Sequence, residues 1–273
     1  MRGWFAPPVS LLVILFLALQ FTNGNDTIHR GETITHPKTI ISSNGTFELG
    51  FFSATSYSKY YLGIWHKVSK PARVWVANRE YPSLSDSSNL TINSEGNLVI
   101  SDGRMSYKVT DITTSNNSNT FARLLDSGNL VLLDGISSAV LWQSFDFPTD
   151  TILSGMNLGQ AKFFPKNWSL VSWRSQEDPA VGSFSLDVNI EGELVIKEGS
   201  KTYWTGSPFL FENYSVDVLL HQVQNRAMRK SHPGDNYITW HFLDPSTIMH
   251  IALDMFGKLK LQSWSEDDQS WPV

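Results

Sequence analysis

Ser94-Glu95-Gly96-Asn97-Leu98-Val99-Ile100 is the stretch from which the fold can be read. Asp126-Ser127-Gly128-Asn129-Leu130-Val131-Leu132 repeats it almost letter for letter. Ser43-Asn44-Gly45-Thr46-Phe47-Glu48-Leu49 is an earlier copy. Weaker copies are Ile190-Glu191-Gly192-Glu193-Leu194-Val195-Ile196 and Met255-Phe256-Gly257-Lys258-Leu259-Lys260-Leu261. All fit x-x-Gly-x-(Phe/Leu)-x-(Leu/Ile), and a recurring unit of this kind defines an architecture before any single element does. Each unit reads as a tight turn feeding a strand. Glycine supplies the positive φ of the turn, and the residues after it alternate between two faces. Leu98 and Ile100 therefore point into a core. Asn93, Glu95, Asn97, Val99 and Ser101 form the opposite strip, which is polar except for its valine. That strip is the feature that looks most like a ligand surface.

The remaining sequence agrees with a β-rich globular protein. Its 273 residues are 41% hydrophobic, enough for a core. Ten Trp and sixteen Phe suit packed sheets. Short strands separated by Gly, Asn and Ser turns run throughout, and no long amphipathic helix is evident. The formal net charge is −5 and no basic run is present, which argues against nucleic acid or an anionic membrane as partner.

The N-terminus reads as a secretory leader. Arg2 precedes an apolar run from Val9 to Phe21, and Thr22-Asn23-Gly24 then turns small and polar. Cleavage is expected near Gly24. No later stretch holds 18 apolar residues, so no membrane span is expected in the mature chain. Six glycosylation sequons support export: Asn25, Asn44, Asn89, Asn116, Asn167 and Asn213. Cysteine is absent, so packing alone must hold the domains.

GTFELGFFS, YYLGIW, VWVANRE and LTINSEGNLVISD resemble the bulb-type lectin domain of plant G-type lectin receptor-like kinases and S-locus glycoproteins. LLDSGNLVLLD, LWQSFDFPTDTILSGMNLG, LVSWRSQEDPAVGSFSLDV and GKLKLQSWSEDDQSW continue the resemblance over essentially the whole mature chain. It implies an all-β fold of two tandem bulb-lectin-like β-prism barrels, each of three four-stranded sheets, the second degenerate. The expected organisation is a signal peptide over 1–24, a bulb-type lectin domain over 25–146 and a second lectin-like, S-locus glycoprotein domain over 147–273, truncated before the family's cysteine-rich module. Trp65, Trp142 and Trp204 each follow a strand and are expected to pack.

The resemblance also implies a sugar site, Gln-x-Asp-x-Asn-x-Val-x-Tyr, on one strand face. In the second copy only Asn97 and Val99 match, and Glu95 keeps the acid at greater length. In the third copy only Asn129 and Val131 match; Leu125, Ser127 and Leu133 fill the other places. In the first copy Asn44, Thr46 and Glu48 stand in the strip without a match. Asn93, Glu95, Asn97, Val99, Asn129 and Val131 are thus a degenerate carbohydrate-binding set. A sugar site loses heavily when a hydroxyl finds no partner.

Enzyme signatures are missing. There is no Gly-x-Ser-x-Gly, His-Glu-x-x-His or phosphate-binding loop, and the kinase motifs of the resembled family are absent. His241 and His250 lack a metal-like companion set, and no metal or cofactor is expected. Glu177-Asp178 and Glu266-Asp267-Asp268 read as solvated turns rather than a glycosidase pair. The expectation is a secreted or cell-surface recognition module without catalysis. Its partner would be a protein ligand or co-receptor, in a signalling role such as pollen recognition; an active mannose-binding lectin, with mannose-type glycans as ligands, is the alternative.

Overall fold

The computed structural model describes residues 26–53, 59–113, 119–161, 166–206, 227–231, 236–242, 244 and 247–271, with side chains omitted over 227–231 and at 236. The expected leader and the sequons at Asn25, Asn116 and Asn213 lie outside the described residues.

Three short strands open the fold: β1 (Thr27–His29), β2 (Thr33–Thr35) and β3 (Thr39–Ile41). Each becomes the edge of a different sheet. β4 (Phe47–Ser53), β5 (Tyr60–His66) and β6 (Arg73–Val76) follow β3 directly and give sheet 1, β3-β4-β5-β6. β7 (Asn89–Ile92), β8 (Leu98–Ser101) and β9 (Ser106–Lys108) return to β2 and give sheet 2, β2-β7-β8-β9. β10 (Thr120–Leu124), β11 (Leu130–Asp134) and β12 (Val140–Gln143) return to β1 and give sheet 3, β1-β10-β11-β12. All pairings are antiparallel. A 3-10 turn at Ser144–Asp146 ends this set.

The same nesting repeats after residue 150. The strands are β13 (Thr151–Ile152), β14 (Asn157–Gln160), β15 (Asn167–Trp168), β16 (Leu170–Ser175), β17 (Asp178–Val188), β18 (Leu194–Glu198), β19 (Lys201–Gly206), β20 (Ala227–Ser231), β21 (Asn236–Phe242), β22 (Met249–Leu253) and β23 (Leu259–Ser263). Sheet 4 is β16-β17-β18-β19, sheet 5 is β15-β14-β21-β20 and sheet 6 is β13-β22-β23. Among the described residues no ladder joins sheets 1–3 to sheets 4–6.

The glycine of every copy sits in the left-handed region. Gly45, Gly96, Gly128, Gly192 and Gly257 have φ of 80°, 85°, 83°, 80° and 77°, where a Cβ strains the backbone. Most turns are further tied by the residue three before the glycine. Asn93 Oδ1 accepts from the Glu95 and Asn97 amides. Asn189 Oδ1 accepts from the Glu193 amide, and Asp254 Oδ1 from the amides of Phe256 and Lys258. These are turns closed by a short polar side chain on its own backbone. The strands they launch bury the expected face: Leu49, Leu98, Ile100, Leu130, Leu132, Leu194, Ile196, Leu259 and Leu261 all lie in one apolar cluster. Trp65 is buried, and Trp142 and Trp204 pack against the core.

Candidate functional site

The strip of sheet 2 is not an open surface. Asn97 is 1% exposed and Val99 6%. The chain leaving β9 folds back over them. Asn97 Oδ1 accepts from the Thr110 hydroxyl at 3.0 Å and the Ile112 amide at 2.8 Å. Asn97 Nδ2 donates to the Ile112 carbonyl at 3.2 Å. The Leu98 amide donates to Thr110 Oγ1 at 2.9 Å, which closes a circuit around Thr110. Among the strip residues Glu95 is exposed, and Asn93 and Ser101 are half-buried. Lys108, on the neighbouring strand, reaches Glu95 at 3.0 Å and Asp111 at 3.6 Å. The hydrogen bond and charge of Lys108 hold the Glu95 carboxyl below its ordinary range.

Sheet 3 repeats the circuit. Asn129 is 7% exposed and Val131 2%. Asn129 Oδ1 accepts from the Ser144 hydroxyl at 3.1 Å and the Phe145 amide at 3.2 Å, and its Nδ2 donates to Gln143 Oε1 at 3.0 Å. The Leu130 amide donates to Ser144 Oγ at 2.9 Å. Asn97 with Thr110 and Asn129 with Ser144 are one device used twice. In each, a carboxamide pins the segment beyond the sheet's last strand. Beside it, Arg123 pairs with Asp26 at 2.9 Å.

Sheet 1 has lost its strip to apolar contact. Glu48 is 8% exposed and its carboxylate accepts from Thr39 Oγ1 at 2.6 Å and Trp65 Nε1 at 2.9 Å. Phe52, Tyr61, Trp65 and Val76 form a second cluster, against which Trp173 of β16 packs. The Arg73 guanidinium lies 4.0 Å from the Phe52 ring centre. The Tyr61 hydroxyl donates to Asp178 Oδ1 at 3.3 Å; burial first, then Asp178, pushes its pKa up to about 12. Arg79, 8% exposed, donates from Nε to the Pro179 carbonyl at 2.6 Å, from Nη1 to Val171 at 2.8 Å and from Nη2 to Ser172 at 2.6 Å. These carbonyls belong to β16 and β17, so Arg79 locks the two sets of sheets together.

The described residues form several surface grooves, two of which bear on recognition. One, of about 580 Å³, runs between the chain after β6 and the β8–β9 hairpin. Tyr81 and Tyr107 face each other there at 5.8 Å, and the Tyr107 hydroxyl donates to the Ala77 carbonyl. Tyr81, Leu84 and Met105 are 59%, 68% and 70% exposed. Exposed apolar clusters on a soluble domain mark contact sites. The sequence reading passed over this groove; its signal is two apolar pairs, Tyr81/Leu84 and Met105/Tyr107, in otherwise polar turn segments. The other groove, of about 460 Å³, lies between the two sets of sheets and has Phe47 and His66 on one side and Met249 on the other.

Elsewhere, His250 is buried and stacks on His66 at 5.3 Å, with Trp271 against both. Burial holds both imidazoles neutral, His250 down to about 4 and His66 well below its ordinary value. His241 is exposed, as are Glu177 and Glu266 through Asp268. Asp178 is taken up by Tyr61, Arg174 and the Ala180 amide. Of the sequons, Asn44 and Asn167 are exposed, and Asn89 is half-buried within β7.

The D-mannose binding lectin family matches residues 72–174. A G-type lectin S-receptor-like serine/threonine-protein kinase of Arabidopsis thaliana is 34% identical over 274 residues, covering 95% of this chain and 33% of that protein. Receptor-like serine/threonine-protein kinase SD1-7 of Arabidopsis thaliana is 35% identical over 270 residues, 96% of this chain and 32% of its own length. The chain therefore spans about a third of the relatives it matches. Among solved structures, a monomeric mannose-binding lectin from Gastrodia elata is 18% identical over 44% of this chain and 96% of its own, with a TM-score of 0.34. The architecture stands on the ladders above rather than on that likeness.

Proposed function

We propose, for a chain that belongs to the bulb-type lectin family represented by the G-type lectin S-receptor-like kinases, the role of an extracellular recognition module whose strand strips have become structural. One observation carries the proposal: the carboxamides of Asn97 and Asn129, the polar residues that fit a mannose motif, are buried and engaged by Thr110, Ile112, Gln143, Ser144 and Phe145. A sugar would have to break those bonds before forming its own, and two residues do not offset that loss together with the ordering that binding demands. Recognition then falls to the remaining surface, where the Tyr81–Tyr107 groove offers exposed aromatic and apolar area to a protein or glycoconjugate partner. No catalytic step is assigned to the chain, and a pollen-recognition type of signalling is one setting for such a module.

The match to a D-mannose binding lectin family supports a second reading, a working mannose lectin. Calorimetric titration of mannose and methyl mannosides into the exported protein separates the two. We expect no saturable heat below millimolar. A saturable signal that disappears in Glu95→Ala, whose side chain is exposed, would restore the lectin.

A further inference from the structure

We propose that an N-linked glycan on Asn44 lies in the groove between the two sets of sheets and is its natural occupant. The proposal rests on the extracellular reading above. Asn44-Gly45-Thr46 is a sequon on the exposed turn that leads into β4, and both Asn44 and Thr46 line this groove. The amide of Asn44 is held in one orientation. Its Oδ1 accepts from the Thr46 amide at 2.9 Å and the Ser42 hydroxyl at 3.2 Å, while its own backbone amide donates to Asp126 Oδ1 at 2.8 Å. Nδ2, the atom that carries a glycan, has no partner among the described residues. The attachment point is therefore fixed at the lip of the groove and is chemically free.

The groove fits a neutral saccharide. Its volume of about 460 Å³ lies within the range of small-molecule sites. The floor is apolar, lined by Phe47, Leu153 and Met249, and the buried, uncharged His66 ring lies tilted by 35° to Phe47 at a centroid distance of 4.7 Å. A mostly apolar pocket with a few polar groups at its edge is the usual build of a small-molecule site. The rim is hydroxylic and acidic, with Ser127, Ser154, Thr247 and Asp126, and among the described residues no Lys or Arg lines it. Such a rim pairs with hydroxyl and N-acetyl groups and rejects an anion. The other described sequons lack this setting. Asn89 sits inside β7, paired with Thr35 on one side and Ser101 on the other. Asn167 is exposed on β15, at the border of sheet 5, and lines neither groove.

Site-resolved deglycosylation tests the proposal. The full chain would be exported from insect cells, and glycopeptide mass spectrometry would follow each sequon during digestion with a peptide N-glycanase, native and denatured. We expect Asn44 to be occupied, and its glycan to be released at least tenfold more slowly from the native than from the denatured protein. At Asn167 the two rates should agree within about twofold. Asn44→Gln and Thr46→Ala should both lower the thermal midpoint, and Thr46→Ser, which keeps the sequon, should restore it. A bare Asn44 on exported protein overturns the proposal and leaves the extracellular reading intact. So does equal release in both states. A bare Asn44 combined with saturable binding of free chitobiose would hand the groove to an external ligand instead. The mannoside titration above is independent of every one of these results.

Discussion

Replacing Asn97 with alanine distinguishes a structural strip from a binding one. Were the side chain waiting for a sugar, its loss would leave the fold untouched, as a surface change does. The structure demands the opposite. Asn97→Ala removes three hydrogen bonds, to Thr110 Oγ1, the Ile112 amide and the Ile112 carbonyl. Asn97 is 1% exposed, and Thr110 beside it is equally buried. At about 1 kcal/mol net per bond, with a further penalty for groups left unpaired, the cost is about 3–4 kcal/mol. For a unit of this size each kcal/mol moves the midpoint by about 3–5 °C, so the transition should fall by about 10 °C or more. Differential scanning calorimetry on the deglycosylated protein reads it directly. Asn129→Ala should behave alike, because Ser144 and Phe145 stand where Thr110 and Ile112 do. Glu95→Ala is the matched control on the same strip: its carboxylate and Lys108 are both exposed, and the transition should not move. An Asn97→Ala protein that melts with the wild type would refute the circuit and return the carboxamide to a ligand.

Three further outcomes follow from geometry. Gly45→Ala and Gly128→Ala impose the same backbone strain at φ near +80°, about 1–2 kcal/mol, but a Cβ at 128 also comes within 2.7 Å of Leu153 and 2.9 Å of Phe47, while at 45 it meets nothing within 4 Å; urea denaturation should find Gly128→Ala worse by about 1–3 kcal/mol, and equal losses would contradict the packing. Arg79→Ala strands the carbonyls of Val171, Ser172 and Pro179, so a loss of about 3–5 kcal/mol is expected; Arg79→Lys should recover little of it, since an ammonium cannot span that fan, and full recovery would refute the geometric argument. The His66–His250 stack makes the fold acid-sensitive. An unfolded imidazole takes a proton below about pH 6.5, whereas His250 in the fold does so only near 4, so the unfolded state binds more protons and stability falls as pH drops through that window. His250→Gln should flatten the profile between pH 6.5 and 4, and an unchanged slope would place the acid sensitivity elsewhere.

The fold was legible because its signals are local. The turn glycine and the alternation after it lie within one seven-residue unit, and the glycine of all five copies has φ between 77° and 85°. Where the spacing slips, the reading fails. Gly155 has φ 90° and leads into β14, yet Leu158 follows it by three positions instead of two, so the pattern passed over it. What joins the two sets of sheets was not legible at all. Arg79 meets carbonyls about a hundred residues away, and His66 meets His250 across a far longer separation. Periodicity assigns each residue a face but says nothing about what another segment lays upon that face.

The strip shows the same limit in its sharpest form. Asn97 and Val99, or Asn129 and Val131, are the residues by which a reader recognises a mannose site, and they are the ones the scaffold itself employs. The asparagine anchors the returning segment through a Thr or Ser hydroxyl, and the valine two places on is buried. On the proposal above, their presence reports an intact sheet rather than a sugar site. The informative places are those free of that duty: Asn93, Glu95 and Ser101 in sheet 2, Leu125, Ser127 and Leu133 in sheet 3. There the chain offers a turn-closing amide, a carboxylate paired with Lys108, small hydroxyls and two leucines. A pyranose has hydroxyls spaced around a ring, and each must exchange water for a partner held in place beforehand. With the carboxamides engaged and the flanking places filled in this way, recognition is proposed to shift from the strips to open grooves such as the tyrosine-lined one and the one beside Asn44.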